Sequence, residues 1–343
     1  MIAAKTSVRW GVLGTGLIAQ NHVIPAIQGA ERCELVAIAS RSETKADGIA
    51  ARFSIPRAFG SYEALLADPD VDAVYLPLPN DLHGPWTRRA ADAGKHVLCE
   101  KPIALTSAET QEVADYCEER NILAMEAFMY RFHPAWARVR GLISEGAIGQ
   151  LLDVGIWFSF RTNRTGDYRL DFAAGGGALY DVGCYAVNVS RMLLGDHPDH
   201  VLGTARIDSE SGVDMTFSGI LDYGGSFATF TCSMEQEPQH SIVIHGTAGW
   251  ISIADPFNCP PDVATTITIG TGGDHHPNAS TIESITIPPA NQYGLQATAL
   301  ADAILNGTPS PLPLEDSIKN MRLLERLFAA ANIQPPKPRS EAP

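Results

Sequence analysis

Lys101 is the first candidate for chemistry in this sequence of 343 residues. It stands in a Glu-Lys-Pro triplet, residues 100–102, which directly follows the apolar run 95–99. The proline forces the backbone to turn away before the next helix. Desolvating an ammonium group at the end of a buried strand is costly unless something there uses the charge. The triplet therefore predicts either a catalytic lysine or a salt bridge between Glu100 and Lys101 at the strand end.

A second pair of candidates lies in the other half of the chain. Asp181 and Tyr185 follow the glycine run 175–177 and stand four residues apart in a predicted helix that ends at Gly195. At that spacing both side chains share one helix face, so a carboxylate and a phenol can converge on a single point. The alternative is an ordinary pair on a helix surface.

The sequence at 14–19 has the pattern GxGxxA between a predicted strand, 8–13, and a predicted helix that ends near Gly29. Gly14 permits the tight turn, and Gly16 lets a pyrophosphate approach the backbone at the helix N-terminus. The small last residue of the pattern lets helix and strand pack closely. The strand before it and the helix after it make this pattern a strong indication of dinucleotide binding.

The residues after the second predicted strand, 34–39, indicate which dinucleotide binds. An Asp or Glu there would hold the ribose hydroxyl of NAD. The strand ends instead with Ser40, Arg41 and Ser42, and Lys45 follows one turn later. Two cations and two hydroxyls suit a 2′-phosphate, since arginine offers a planar fork of donors. We therefore predict NADP(H) over NAD(H), with an ordinary solvated helix start as the alternative.

Two further segments lie where such folds place ligands. The loop 77–83 follows the predicted strand 72–76, and Asn80 within it is either a cofactor contact or a helix cap. Arg131 and His133 stand at the predicted junction of two domains, which is a common place for a cleft.

Composition and charge exclude several classes of protein. No run of 18 apolar residues occurs, and the first ten residues lack the apolar core of a signal peptide, so we expect a soluble, cytoplasmic protein. The net charge of −14 argues against nucleic-acid and membrane partners, because both are polyanions. The six cysteines lack a CxxC spacing, and His275 and His276 lie in a polar loop, so we expect no metal site.

Alternating helices and strands in the first half predict a doubly wound parallel sheet of Rossmann type, over residues 1–127. Residues 128–335 are predicted to form an α+β domain with an open-faced, mostly antiparallel sheet, because seven short strands follow Pro198. The tail 336–343 is predicted to be disordered. Exposed apolar positions on the open face would favour a homodimer or homotetramer.

Three segments together resemble the glucose-fructose oxidoreductase/inositol dehydrogenase (Gfo/Idh/MocA) family: residues 14–16, 100–102 and 175–185. The resemblance covers almost the whole chain. Two features resemble one branch of this family more narrowly, the NADP-dependent aldose (xylose) dehydrogenases and dimeric dihydrodiol dehydrogenases. They are Tyr185, where inositol dehydrogenases carry histidine, and the segment 125–134. The resemblance implies the two domains, oligomer contacts through the open sheet, and a cleft where NADP meets a sugar or cyclic polyol.

The resemblance also implies roles for individual residues. Lys101 would lie near the nicotinamide ribose and the substrate hydroxyl, Tyr185 would exchange the substrate proton, and Asp181 would bind substrate or orient the pair. Tyr168 departs from the tryptophan that relatives often carry at that position. The full expected set of cofactor contacts, combining the motifs and the resemblance, is Gly14, Thr15, Gly16, Leu17, Ile18, Ser40, Arg41, Ser42, Lys45, Leu78, Asn80, His83, Glu100, Lys101, Arg131, Tyr168, Arg169 and Tyr293.

The chemistry of alcohol oxidation agrees with these roles. Hydride leaves carbon as the hydroxyl proton leaves oxygen, so a base must reach that oxygen within about 3 Å. A free phenol, with a pKa of about 10, is a poor base at neutral pH. A nearby ammonium favours the phenolate and stabilises the developing alkoxide, so Lys101 and Tyr185 could act as a pair in proton transfer. Either of them could move the proton.

The sequence leaves three functions open. The first is an aldose 1-dehydrogenase that makes a lactone with NADP⁺. The second is a keto- or anhydro-sugar reductase, or a trans-dihydrodiol dehydrogenase, that uses the same residues. The third is a non-catalytic regulator that senses NADP, against which the intact set of Lys101, Asp181 and Tyr185 argues. Substrate identity is expected to depend on the loops 161–171 and 256–277.

Overall fold

The computed structural model describes residues 5–162, 166–273 and 280–338, and in these residues the chain divides into two compact units. Unit 1 contains the chain up to Phe128 together with Tyr293–Met321, and unit 2 contains Met129–Gln292 and Arg322–Pro336. A C-terminal segment thus belongs to unit 1, and the predicted domain bounds stay a prediction. His275 and His276 and most of the predicted tail lie outside the described residues.

Unit 1 is built on a six-stranded parallel sheet with the strand order β3-β2-β1-β4-β5-β6. The strands are β1 (Val8–Leu13), β2 (Cys33–Ala39), β3 (Arg57–Phe59), β4 (Ala73–Leu76), β5 (His96–Cys99) and β6 (Ala124–Glu126). The chain winds outwards from β1 to β3 and then returns to the other side of β1 as β4. This reversal creates a switch point at the carboxyl ends of β1 and β4.

Five helices connect these strands: α1 (Ile24–Gly29), α2 (Glu43–Phe53), α3 (Tyr62–Leu66), α4 (Asn80–Asp92) and α5 (Ser107–Glu119). Hydroxyl groups cap three of them, because Ser42, Ser61 and Thr106 each accept a hydrogen bond from a backbone N–H in the first turn. The helical segment before α1 begins differently from the sequence prediction. Residues Ala19–Val23 form a π-helical turn that leads directly into α1.

Unit 2 contains an eight-stranded sheet with the order β14-β13-β12-β11-β7-β10-β9-β8. Its strands are β7 (Leu151–Arg161), β8 (His200–Ile207), β9 (Asp214–Asp222), β10 (Phe227–Ser233), β11 (Glu235–Gly246), β12 (Gly249–Ile253), β13 (Thr265–Thr271) and β14 (Thr281–Ile287). Among the described strands of this eight-stranded sheet, only the pairing of β7 with β10 is parallel, so the prediction of a mostly antiparallel sheet is confirmed.

Two helices of unit 2 follow its short helical turns: α6 (Pro134–Ser144) and α7 (Cys184–Leu194). A 3₁₀ turn at Met129–Phe132 precedes α6, and a second one lies at Tyr168–Leu170. The π-helical turn Leu179–Gly183 leads into α7. The sequence predicted one continuous helix here, and the wide first turn was not anticipated.

Two C-terminal helices complete the fold, α8 (Gln292–Asn306) and α9 (Leu314–Ala330). All of α8 except its first residue belongs to unit 1, while α9 is shared between the units. In unit 2, the ring of Phe328 on α9 packs against Phe217 of β9 and against Tyr180 at centroid distances of 6.4 and 4.9 Å. This end of α9 therefore covers one face of the eight-stranded sheet.

The other face of that sheet is open within unit 2. Alternation along β9 and β10 buries Phe217 and Phe230, whereas Ile220 and Phe227 are 40% and 45% exposed on the opposite side. Leu202 on β8 is 62% exposed and is part of the same open face.

Among the described residues, no helix combines the length and apolar character needed to cross a bilayer.

Candidate active site

The glycine-rich turn of unit 1 lies between β1 and the helical segment that follows. Gly14 has a φ of +135°, which favours glycine, and its backbone N–H donates to the carbonyl oxygen of Ala39 at 3.0 Å. A Cβ atom on Gly16 would come within 3.4 Å of the carbonyl oxygen of Pro77. The loop after β4 therefore approaches the turn closely. Leu17, 50% exposed, presents an apolar surface beside it.

The residues after β2 lie at the same edge of the sheet. Ser40 is buried, and its hydroxyl accepts a hydrogen bond from the backbone N–H of Ser42 at 3.3 Å. The Ser42 hydroxyl caps α2 by accepting from the backbone N–H of Lys45. Arg41 is exposed and hydrogen-bonds Tyr62, whose pKa is raised mainly by burial. Arg41 and Lys45 are thus both exposed cations at this strand end.

The loop after β4 is held by a buried histidine. The Nδ1 and Nε2 atoms of His83 lie 2.7 Å from the carbonyl oxygens of Pro102 and Leu78, respectively. Burial lowers the pKa of His83 to about 4, and the Lys101 charge acts in the same direction. Both ring nitrogens therefore face backbone carbonyls. Asn80 is the first residue of α4, and the capping position is Pro79, which contradicts the cap interpretation.

Lys101 follows β5, the strand next to β4 in the sheet. Its neighbour Glu100 accepts a hydrogen bond from the hydroxyl of the buried Tyr75 at 2.6 Å. Tyr293 of α8 also lies within electrostatic reach of Glu100 and Lys101. Burial and the Glu100 charge raise the pKa of Tyr293, while the Lys101 charge lowers it. The ring of Tyr293 stacks on His22 at 5.3 Å.

The carboxyl edge of unit 1 therefore collects the predicted residues of this unit other than Tyr293, which lies on α8. They follow β1, β2, β4 and β5, where parallel sheets of this type bind ligands. The residues fit a dinucleotide, because the turn has glycine at position 14, where the φ of +135° favours it, and Arg41 is exposed nearby. The turn could hold the pyrophosphate, and Arg41 could hold a 2′-phosphate.

In unit 2, Asp181 is buried and forms an ion pair with Arg169 across 2.7 Å. Arg169 also pairs with Asp167 at 3.3 Å. The Asp181 charge is the largest of the causes that raise the pKa of Arg169. The guanidinium lies 4.8 Å above the ring of Tyr168. Asp181 is therefore held in one orientation, which the sequence did not predict.

The glycine run packs between two other segments of unit 2. The backbone N–H groups of Gly176 and Gly177 donate to the carbonyl oxygens of Asp171 and Arg169 at 2.9 and 3.1 Å. A Cβ on Gly176 would overlap the Arg169 carbonyl, and one on Gly177 would overlap the carboxylate of Asp214. The glycines are thus required by close packing around the Arg169 turn.

Tyr185 lies at the start of α7 and is 5% exposed. Its ring contacts Phe158 and Phe257, each at a centroid distance of 5.5 Å, and Tyr130 at 5.9 Å. Its hydroxyl lies 3.5 Å from the sulfur atom of Met129. These aromatic neighbours fix the plane of the phenol.

Arg131 points to a polar residue on the same helix as Tyr185. Its Nη1 donates to the Oδ1 atom of Asn188 at 3.2 Å, and the Tyr130 hydroxyl donates to the same oxygen at 2.5 Å. Asn188 is fully buried and was not predicted. Its position three residues after Tyr185 could have indicated that it belongs to the same site, because residues at that spacing share a helix face. The buried His133 accepts from the backbone N–H of Ala135 and caps α6.

The predicted set thus falls into two groups, each gathered within one unit. Unit 1 carries Lys101 and the residues around the glycine-rich turn, and unit 2 carries Asp181, Tyr185, Arg131, Tyr168 and Arg169. The pairing of Lys101 with Tyr185 joins the two groups and stays a prediction. Among the described residues, no cluster of three or more His, Cys, Asp or Glu side chains could hold a metal ion.

Comparisons with known proteins match both units. Residues 8–128 match the model of an oxidoreductase family with an NAD-binding Rossmann fold, and residues 136–252 match the GFO/IDH/MocA C-terminal domain. The chain is 40% identical to D-xylose 1-dehydrogenase (NADP(+)) 2 of Haloferax volcanii, over 94% of this chain and 97% of the relative. It is 35% identical to a trans-1,2-dihydrobenzene-1,2-diol dehydrogenase of Mus musculus, over 72% and 74%.

A solved structure also matches this chain over almost its whole length. A 3-ketoreductase from Actinomadura kijaniata, crystallised with NADP and TDP-benzene, is 31% identical, with a TM-score of 0.88 over 94% of this chain and 98% of that one. The matches confirm the predicted fold class and the prediction of an oxidoreductase that uses a nicotinamide dinucleotide. This chain therefore belongs to the GFO/IDH/MocA family of oxidoreductases.

Proposed function

We propose that this protein is an NADP(H)-dependent aldose 1-dehydrogenase, which oxidises a xylose- or glucose-type pyranose to a lactone. The observation that carries the proposal is the 40% identity, over 94% of the chain, to an NADP⁺-dependent D-xylose 1-dehydrogenase. The end of β2 supports the choice of NADP, because it offers the exposed Arg41 and no carboxylate in residues 40–42.

The bound nicotinamide ring would supply the acceptor for the hydride that leaves the sugar carbon. The chain's own residues must then remove the proton from the sugar hydroxyl. We assign this task to Tyr185 together with Lys101, because a phenol needs a nearby positive charge to act as a base near neutral pH. One hydride and one proton leave the substrate, so a hydroxyl-bearing carbon becomes a carbonyl carbon.

Asp181 has a different task in this proposal. Its carboxylate is already engaged by the Arg169 guanidinium at 2.7 Å, so it is an anchored acceptor and not a free base. We infer that it binds a second substrate hydroxyl and so orients the substrate relative to Tyr185. The aromatic side chains of Phe158 and Phe257, which contact the Tyr185 ring, limit how that ring can turn.

The experiment follows NADPH absorbance while the purified protein is offered aldoses, inositols, keto-sugars and trans-dihydrodiols, in both directions and with both cofactors. The proposal expects the highest kcat/KM for a pyranose with NADP⁺. A higher kcat/KM for a dihydrodiol would favour the second candidate, which the 35% identity to a trans-1,2-dihydrobenzene-1,2-diol dehydrogenase supports. Absence of turnover with every compound would contradict both.

We also propose that the open face of the eight-stranded sheet joins copies of this chain into a homodimer or homotetramer. The face carries Leu202, Ile220 and Trp157, which are 62%, 40% and 37% exposed, around a groove of about 700 Å³. Exposed apolar surface of this kind marks an association site. Light scattering should find a dimer or larger assembly for the native chain and a smaller species for Leu202→Glu, whereas a monomeric native chain would refute the proposal.

A further inference from the structure

Asp214 is a buried carboxylate that the proposed reaction does not use. It is the first residue of β9 and is 4% exposed. Its Oδ2 atom accepts a hydrogen bond from the backbone N–H of Leu179 at 2.7 Å, and the backbone N–H of Ala178 also hydrogen-bonds this carboxylate. Both donors belong to the start of the helical segment that carries Asp181 and Tyr185.

This segment has no cap of its own. The residue at its local capping position is Ala178, and no side chain at that position accepts a hydrogen bond. The first N–H groups of a helix need acceptors when they are buried. Asp214, thirty-five residues further along the chain, supplies one, and a carboxylate near a helix N-terminus also interacts favourably with the helix dipole.

The absence of a side chain in the glycine run leaves room for this carboxylate. Gly177 has a φ of +119°, and a Cβ there would overlap the Oδ1 atom of Asp214. On the next strand, Cys232 lies 2.9 Å from the position a Cβ on Gly183 would take. The segment is therefore pressed against β9 and β10 at two glycines, and Asp214 fixes its position along the sheet.

We propose that Asp214 is a positioning residue for the reaction, since its hydrogen bonds to the backbone set where Asp181 and Tyr185 stand. The inference rests on the proposed function, which supplies the roles of those two side chains. Asp181 lies only two residues after Leu179, so a shift of the first turn moves its carboxylate directly. Tyr185 lies two residues after the π-helical turn ends and moves with the same backbone.

The protonation state of Asp214 provides a second way to test this role. Burial raises its pKa to about 7, while the backbone hydrogen bonds act in the opposite direction. Among the described residues, the thiol of Cys232 interacts electrostatically with Asp214, with the Cys184 thiol and with the Asp181 carboxylate. A change of charge at Asp214 near neutral pH would alter the strength of the cap and, through it, the position of Asp181.

The test compares Asp214→Ala with Asp214→Asn, which keeps one acceptor for the Leu179 N–H. We expect kcat to fall by roughly tenfold or more in the alanine variant, with KM for NADP⁺ within about twofold of the native value, and the asparagine variant to recover most of kcat. The asparagine variant should also lose the inflection in the kcat profile near neutral pH.

Two matched controls separate positioning from stability. Leu221→Ala removes a buried side chain from the same strand without touching the cap, and Asp208→Asn makes the same charge change in the turn between β8 and β9. We expect Leu221→Ala to lower Tm while kcat stays within about twofold, and Asp208→Asn to keep the native pH profile. If Asp214→Ala fails to fold, the pH profile of Asp214→Asn decides alone. A native profile in Asp214→Asn, or equal kcat losses in Asp214→Ala and Leu221→Ala, would overturn the inference.

A readout without turnover keeps this inference distinct from the proposed function. The near-ultraviolet tyrosinate signal of Tyr185 is obtained by subtracting the titration of the Tyr185→Phe variant. In an inactive protein, Asp214→Ala should still shift that titration, whereas Leu221→Ala should leave it in place. An unshifted titration in both variants would reject the positioning role even if the enzyme is active.

Discussion

Lys101 and Tyr185 are held in their respective units by different kinds of structure. Lys101 follows a strand of a parallel sheet, and its surroundings are loops at the carboxyl ends of neighbouring strands. Tyr185 stands on a helical segment fixed by side chains from distant parts of unit 2, among them Asp214 and Phe257. The first arrangement follows from topology, and the second depends on individual long-range contacts. The same kind of substitution should therefore have different consequences in the two units.

The largest effect should come from removing the proton-transfer groups themselves. Tyr185→Phe and Lys101→Met should each lower kcat by roughly 100-fold or more, because general acid–base catalysis contributes at least that much in such reactions. Steady-state turnover with the best substrate of the panel measures this. Tyr223→Phe, which removes a phenol hydroxyl elsewhere in unit 2, is the control and should keep native kcat. Near-native turnover in both site variants would exclude the proposed pair.

The pH dependence of stability should differ between native protein and Asp214→Asn. Because burial raises the pKa of Asp214 to about 7, the folded state keeps its proton over a range in which the unfolded chain has lost it. The contribution of the Asp214 proton to the free energy of unfolding is therefore complete below the pKa of the unfolded state. It is lost as the pH rises towards about 7. The Tm of the native chain relative to the variant should be higher at about pH 5 than at about pH 8. A difference that is constant with pH would contradict the buried, protonated carboxylate.

Close packing around the Arg169 turn predicts a cost in stability for Gly176→Ala. The added methyl group would overlap the Arg169 carbonyl oxygen and lie 2.8 Å from that of Asp171, and backbone atoms cannot move aside as a flexible side chain can. We expect a loss of about 1–3 kcal/mol in the free energy of unfolding, as for other overpacked sites. Chemical denaturation measures it, and an unchanged midpoint would show that the turn adapts.

The difference between the units also explains what the sequence could and could not reveal. The turn at Gly14 and the triplet at Lys101 are local patterns whose meaning follows from the strand before them, so the fold of unit 1 was predictable. The Asp181–Arg169 ion pair was not, because nothing in the spacing of two residues twelve apart specifies how the intervening glycine turn folds back. Asp214 was not among the predicted site residues.

Other differences have equally local causes. Strand β3 is three residues long and half-buried, too short for an alternating pattern to show. The π-helical turns at Ala19–Val23 and Leu179–Gly183 each insert a wider turn at the start of a helix that contributes to the site, and periodicity does not indicate such turns. The segment Tyr293–Met321 joins unit 1 through tertiary contacts that a linear division into domains does not show.

Cofactor preference should respond more modestly, because Arg41 is exposed and, in the proposed binding mode, would contact one phosphate only. Arg41→Ala should reduce the preference for NADP⁺ over NAD⁺, as the ratio of kcat/KM values, by roughly tenfold, which is the worth of a charge-assisted hydrogen bond. Arg52→Ala removes a cation further along α2 that bonds Gln20, and it should leave the ratio unchanged. Equal ratios in native protein and Arg41→Ala would refute the assignment.

The smallest expected effect is a gain in stability at a glycine that no tertiary contact requires. Gly48 lies inside α2, and a Cβ atom there would meet nothing within 4 Å. Alanine should therefore raise the free energy of unfolding by about 0.5–1 kcal/mol, since glycine loses more backbone entropy in a helix. Set beside Gly176→Ala, this variant tests whether packing, and not glycine's flexibility, accounts for the glycine at position 176. A loss of stability at both positions would show that α2 is packed more tightly than its exposed face indicates.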